Sequence, residues 1–233
     1  MREMENQAST SNPTINLNRL HFPVSSLGFG QRIAIWVQGC SLHCPGCISR
    51  DTWQHGSGSI LISQLVASME PWLEQADGLT VSGGEPFEQP EALLHLLRWW
   101  KHRHHGDILV FSGFSWERLK EQHQALLEII DVLISDPYVA SSEHDLPLRG
   151  SDNQRLHKLT PLGRSRYAQL IRQRSMDICW DGNRLWMAGI PHPDDMVALQ
   201  DQLRSQGVQF QSSDQEPEEA IHAQVVARLE VYP

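Results

Sequence analysis

The 233-residue sequence has no apolar run of the length that crosses a bilayer, and its opening stretch, Met1 to Asn18, lacks the hydrophobic segment of a secretory signal. A membrane partner is therefore not expected, and a cytoplasmic location is. Positive charge is in the minority as well. Nineteen Lys and Arg stand against 28 Asp and Glu, a formal net charge of -9, so no global field draws the chain to a nucleic-acid backbone. Cysteine is scarce, with four in all, and three of these fall together at Cys40, Cys44 and Cys47. That crowding excludes a disulfide framework and is the pattern of a metal or cluster site in a reducing compartment. No internal repeat and no disordered or fibrous composition is present.

What remains is enough for one sizeable α/β domain and an appendage. Residues 1–18, rich in Ser, Thr, Asn and Gln, are expected to stay loose until about Leu20. The first clear strand is Arg32 to Val37. Ile62, Leu65, Val66, Met69, Trp72 and Leu73 recur at helical spacing, with Pro71 set to kink or end the helix. A strand through Leu79 to Val81 runs into Ser82-Gly83-Gly84-Glu85-Pro86. Pro90 reads as a first-turn proline of a helix whose stripe is Leu93, Leu94, Leu97 and Trp100, ended by Gly106. A strand at Ile108 to Phe111, a helix from Trp116 to Ile130 and a strand at Asp131 to Ser135 complete a βαβ series.

Strands alternating with amphipathic helices predict a parallel sheet, and ligands of such sheets sit at the carboxyl ends of the strands. Both the cysteines and the Gly-Gly-Glu-Pro run occupy such ends. Past Leu159 the pattern changes: a short helix around Arg164 to Arg174, strands Met176 to Trp180 and Arg184 to Ala188 across Asp181-Gly182-Asn183, then a helix from Asp194 to Gln206. Ser212 to Glu219 reads as an acidic linker before a last apolar segment, Ala220 to Val231. The expected division is a flexible segment 1–18, a core 19–160 and a small α+β appendage 161–233.

The loop Gly39-Cys40-Ser41-Leu42-His43-Cys44-Pro45-Gly46-Cys47 offers three thiolates at C-x3-C-x2-C. Three ligands for a four-iron cluster leave one iron open to a chelating ligand. The alternative is a zinc-bound interaction module, whose tetrahedral closure needs a fourth ligand such as His43, Asp51 or His55. At the other strand end, Gly83 and Gly84 let main chain approach a ligand closely, and Glu85 can accept from an ammonium.

These residues carry a resemblance. Val37-Gln38-Gly39-Cys40, Cys44-Pro45-Gly46-Cys47 on to Thr52-Trp53, Leu79 to Pro86, Phe111-Ser112-Gly113-Phe114, Asp131 to Asp136 and Leu148-Arg149-Gly150-Ser151-Asp152-Asn153-Gln154-Arg155 follow in order the motifs of the radical S-adenosylmethionine (SAM) superfamily. They resemble in particular the activating proteins of anaerobic ribonucleotide reductase and pyruvate formate-lyase, over about residues 15–160. The resemblance implies a partial (β/α) barrel, a 4Fe-4S cluster on Cys40, Cys44 and Cys47, and SAM as cofactor. It implies Gly83, Gly84, Glu85 and Pro86 at the SAM methionine group, with Ser112, Arg149, Ser151 and Asn153 lining the same cleft. It further implies reductive cleavage of SAM to a 5'-deoxyadenosyl radical that takes hydrogen from a glycyl-radical partner enzyme, with flavodoxin or ferredoxin as electron donor. A radical SAM enzyme that modifies a peptide or small molecule is the alternative within the superfamily.

Other conspicuous residues have plainer readings. Cys179 lies on one face of a strand as an ordinary buried thiol. His102, His104 and His105 crowd a helix end where cationic side chains favour the dipole. Of Trp99 and Trp100, one must face the sheet. His43 and His55 flank the cysteine loop, either tuning it through hydrogen bonding or standing exposed, and carry no catalytic role.

Overall fold

Strand β2 (Arg32–Val37) is buried along its whole length, as a central strand covered on both faces must be. In this computed structural model, which describes residues 12–168, 175–180 and 185–207, it pairs in parallel with β4 (Gly78–Gly83). Then follow β5 (Asp107–Phe111) and β6 (Val132–Ser135), also in parallel. Antiparallel strands close both sides. On one side β1 (Thr14–Val24) pairs with β2 and carries β3 (Ser59–Leu61). On the other, β7 (Arg155–Lys158) pairs with β6. The sheet order is β3-β1-β2-β4-β5-β6-β7. The protein is thus mixed α/β, built on a large and mostly parallel sheet.

Alternation along the strands separates two faces. Ile33, Ile35 and Val37 of β2, Ile108 and Val110 of β5 and Leu133 of β6 share one core with Leu65 and Met69 of α1 (Ile62–Met69) and Leu93, Leu97 and Trp100 of α2 (Pro90–Arg103). Ala34 and Trp36 of β2, and Leu109, Val132 and Ile134 of β5 and β6, fall in separate clusters on the opposite face. As expected, Pro71 follows the end of α1 in a 3-10 turn and Pro90 opens α2. Trp100 is the tryptophan that faces the sheet, its indole donating to the Gly106 carbonyl at 3.0 Å.

Three expectations are corrected. Residues 14–18, expected to be loose, begin β1: Ile15 and Leu17 enter the core, while Asn16 and Asn18 alternate with them and bond to neighbouring polar groups. The single helix over 116–130 is two, α3 (Trp116–Gln122) and α4 (Gln124–Leu127). His123 leaves helical geometry between them (φ −134°, ψ 33°) and sets its ring against Phe87 at 5.1 Å. At the end of α2, His104 is no cation for the dipole. Burial lowers its pKa, and its Nδ1 accepts from the Gly106 N–H.

The chain past β7 stays with the sheet. A short helix, α5 (Pro161–Arg166), is capped by Thr160, and Tyr167 is fully buried under Leu109, Val132 and Ile134. Its hydroxyl donates to Asp107 (3.0 Å), which also receives Arg32 (3.0 and 3.1 Å) and Arg166 (2.8 Å). A hairpin of β8 (Met176–Trp180) and β9 (Leu185–Gly189) follows, then α6 (Pro193–Ser205). The turn Asp181 to Asn183, the end of the helix expected to reach Arg174, the segments from Ser212 onward and residues 1–11 lie outside the described residues. No helix among the described residues is long and apolar enough to cross a membrane.

Candidate functional site

The cysteine loop leaves β2 at Gly39 and is held from below by main chain and amides. Gly39 N donates to the Thr52 carbonyl (2.7 Å) and Cys40 N to that of Trp53 (3.1 Å). Gln38 donates to the carbonyls of Asp51 and Gln54 and accepts from Asn18. Gln89 reaches the carbonyls of both Asn16 and Gln38, and Arg19 pairs with buried Asp51 at 2.9 Å. Trp53 carries the stacked ring of His43 (4.6 Å) and the Arg50 guanidinium. This polar layer is what the sequence reading missed. Asn16 and Asn18 sat in the stretch assigned as loose, whereas Gln38 lay inside the Val37-Gln38-Gly39-Cys40 motif and Gln89 four residues after Glu85.

Cys40 is buried and Cys44 and Cys47 half-buried, all as free thiols. Burial pushes the Cys40 thiol up to about 11, with N–H groups of Leu42 and His43 pulling the other way and the charges of Glu85 and Glu88 adding to the rise. Burial raises Cys47 too. Thiols in such surroundings become thiolates only against a strong local cation, the role a metal centre fills. The donor set suits an iron–sulfur body bridging the loop.

The second motif is zipped onto the first. Gly84 N donates to the Val37 carbonyl and Glu85 N to that of Gly39, both at 2.8 Å. Gly83 takes a positive φ of 105°. A Cβ on Gly84 would overlap the Gly39 carbonyl oxygen and stand 3.0 Å from that of Thr52. Gly84→Ala is therefore expected to push the cysteine loop off its seat and to lower stability by about 1–3 kcal/mol, read from thermal melting of the metal-free protein. An unchanged midpoint would show that the loops part without cost.

Glu85 is fully buried. Its Oε1 accepts from Phe87 N (3.0 Å) and Ser112 Oγ (2.9 Å), its Oε2 from Gly113 N (2.7 Å). Pro86 is buried behind it in the 3-10 turn that Glu85 caps. The carboxylate thereby ties the end of β4 to the end of β5, and Ser112 passes the tie on by accepting from Phe114 N. Despite three donors, desolvation holds its pKa up at about 7. No Lys, Arg or His among the described residues pairs with it.

The late-motif residues sit differently. Ser151, fully buried, accepts from Val139 N, and exposed Asn153 donates to the Pro137 carbonyl. Both brace their own loop, 137–153, and neither bonds to Glu85. Arg149 is half-buried there, its pKa lowered by desolvation. The loop nonetheless reaches the cysteines, because a Cβ on Gly46 would meet Ala140 at 3.2 Å and Tyr138 at 3.5 Å. Beside Cys40, Glu88 accepts from Ser41 through both its N–H and its hydroxyl and faces His55 Nε2 at 3.6 Å. Cys179 is exposed on β8, not buried as its strand pattern suggested.

Residues 26–157 match the family described as "4Fe-4S single cluster domain". The anaerobic ribonucleoside-triphosphate reductase-activating protein of Enterobacteria phage T4 is 34% identical over 55% of this chain and 85% of its own. The protein of that name from Haemophilus influenzae is 31% identical over 56% and 90%, and that of Escherichia coli K12 is 28% identical over 60% and 96%. The crystal structure of QueE from Escherichia coli superposes at a TM-score of 0.37 and 19% identity, over 44% of this chain and 54% of that one, too loosely to bear on the reading. The matched span holds the three cysteines, Gly83 to Pro86 and the loop that meets them, and the chain belongs to the 4Fe-4S single cluster domain family, among the anaerobic reductase-activating proteins.

Proposed function

We propose that the chain is a radical SAM activating enzyme: Cys40, Cys44 and Cys47 hold a 4Fe-4S cluster, and SAM lies between that loop and the Gly83–Pro86 strand end. The observation that carries the reading is Glu85, a buried carboxylate without a cationic partner among the described residues, joined by backbone hydrogen bonds to the strand end that bears the cysteines. An ammonium is what such a group lacks, and the methionine end of SAM supplies one. Cys40, Cys44 and Cys47 would hold the cluster and Glu85 the methionine ammonium, and the pair would supply one-electron reductive chemistry for abstracting hydrogen from a glycine of the partner enzyme.

The protein's own part is positioning. The Gln38, Asn18 and Gln89 layer fixes the cysteine loop, the Gly84–Gly39 contact sets the distance between loop and strand end, and Ser112 and Gly113 orient the Glu85 carboxylate. Arg149, Ser151 and Asn153 belong to the opposite lip of the cleft, where Ser151 and Asn153 hold the loop in shape. The parallel strands β2, β4, β5 and β6 serve as the wall of a partial (β/α) barrel. The partner is a glycyl-radical ribonucleotide reductase, the donor a low-potential one-electron carrier such as flavodoxin or ferredoxin, and the compartment the reducing cytoplasm. Residues 14–160 form the catalytic core, β1 included, and 161–233 serve recognition, with Arg166 and Tyr167 also sealing the foot of the core.

Glu85→Gln keeps an acceptor for Ser112 and removes the charge. It is expected to retain full iron while weakening SAM binding by about 1.5–3 kcal/mol, the worth of a charge-assisted hydrogen bond. Calorimetry with the reconstituted protein measures this. Unchanged SAM affinity would leave Glu85 as a structural tie only.

A further inference from the structure

The 3-10 turn that Glu85 caps aims two more side chains at the cysteine loop. Its main chain closes with Glu88 N on the Glu85 carbonyl and Gln89 N on that of Pro86, both at 3.1 Å. From this short base Gln89 donates to the Gln38 carbonyl, ahead of Cys40 in the chain, at 3.1 Å. Glu88 reaches Ser41, directly after Cys40. Its Oε1 accepts from the Ser41 N–H at 3.0 Å and from the Ser41 hydroxyl as well. Cys40 is thus bracketed from one turn, by an amide before it and a carboxylate after it.

The loop needs such a hold. It passes through left-handed φ at Gly39 (104°), His43 (45°) and Gly46 (78°), and His43, carrying a Cβ, takes that conformation at a cost. The other carboxylate oxygen of Glu88, Oε2, is enclosed and accepts no hydrogen bond among the described residues, with His55 Nε2 standing 3.6 Å away. The His55 ring lies over Gly39, where a Cβ would meet its Nδ1 at 2.9 Å. Only 17% of the Glu88 side chain is exposed, against 58% of that of His55. The carboxylate therefore sits mostly out of water, where its charge is little screened, and that charge is felt at the Cys40 thiol, whose ionisation it opposes.

We propose that Glu88 is a positioning residue of the reaction, which seats the chain after Cys40 and by its negative charge holds the cluster at a low reduction potential. This rests on the function proposed above. Net charge and hydrogen bonds to sulfur set such potentials, and Glu88 acts on both in the same direction. Its charge opposes an added electron. It also takes the Ser41 N–H for itself, so that Cys40 draws on the N–H groups of Leu42 and His43 alone. Both effects disfavour the reduced state and make it the stronger one-electron donor. Glu85 carries the other nearby carboxylate, but in the proposed complex the methionine ammonium offsets its charge. Glu88 faces only the largely exposed ring of His55.

The test takes the full-length protein reconstituted with iron and sulfide, without SAM, and follows the reduced cluster by electron paramagnetic resonance against applied potential at one fixed pH. Glu88→Gln keeps an acceptor for Ser41 and removes the charge. It is expected to hold full iron and to favour reduction about tenfold, a rise of about 59 mV for one electron. Glu88→Asp, which keeps the charge, is expected to take back most of that rise. With SAM and a reductant added, Glu88→Gln should lower kcat for SAM cleavage and leave KM for SAM in place. The seat is read separately, in the metal-free protein, by amide exchange at Ser41, expected to be about tenfold faster in Glu88→Ala than in wild type. An unchanged potential in Glu88→Gln, or the same rise in Glu88→Asp, overturns the role of the charge. Iron lost from Glu88→Gln overturns it too, since the charge would then serve assembly and not potential. Unchanged exchange at Ser41 in Glu88→Ala overturns the seat. A wild type that assembles no cluster overturns the proposed function itself.

Discussion

Cys40→Ala, Cys44→Ala and Cys47→Ala are each expected to abolish cluster assembly, while Cys179→Ala retains it in full. A cluster on three protein thiolates has none to spare, and the fourth cysteine cannot substitute, being exposed on β8 while the other three share one loop. The burial that raises Cys40 to about 11 and also raises Cys47 sharpens the effect. On the proposed assignment these thiols would ionise against bound iron, so losing one ligand would weaken the case for ionising the others. Iron and sulfide analysis after anaerobic reconstitution decides the matter. Full iron content in any of the three variants would remove that cysteine from the ligand set, and loss of iron in Cys179→Ala would bring the hairpin into it.

Asp107→Ala is expected to cost about 3–5 kcal/mol of folding stability at neutral pH, the range for breaking a buried ion pair from one side. Both Arg32 and Asp107 are fully enclosed. With the carboxylate gone, Arg32 keeps Thr80 and the carbonyls of Phe29 and Leu79 but not its counter-charge. Burial by itself raises the Asp107 pKa, yet Arg32, with hydrogen bonds from Arg166 and Tyr167, outweighs it and the net shift is downward from 3.8. A depressed carboxylate contributes its stability in full above the unfolded value and loses it as pH falls through the folded one. The gap between wild type and variant should therefore hold from neutrality down to about pH 4 and close below it. Urea unfolding of the metal-free protein across that range measures it, and a loss under about 1 kcal/mol would mean that water reaches Arg32. The same geometry predicts that a chain ending at Thr160 is weaker than one ending at Ala168. Only the longer one keeps Arg166 and Tyr167 on Asp107.

The sequence by itself determined the parallel strands, because Ile33 to Val37 of β2, Ile108 to Phe111 of β5 and Val132 to Ile134 of β6 read as apolar runs, and Leu79 and Val81 mark β4 just before the Gly83-Gly84 turn. It determined where α1 ends and α2 begins, since Pro71 and Pro90 act through their own rings. It also determined the cysteine loop and the Gly-Gly-Glu-Pro strand end, whose chemistry lies in residue type and short spacing. β1 was hidden because its second face is polar: Asn16 and Asn18 are signs of a loop until Gln38, Gln89 and Asp51, distant in sequence, are seen to satisfy them. β3 and β7, at three and four residues, are too short for any periodicity to show. The enclosure of Glu85 by Ser112 and Gly113, the closure of Arg32 and Asp107 by Tyr167, and the seating of Trp186 on His21 and Trp36 were decided only by the tertiary structure. Each joins groups far apart along the chain, and burial, counter-charge and ring contact belong to the packed molecule and not to any one segment of it.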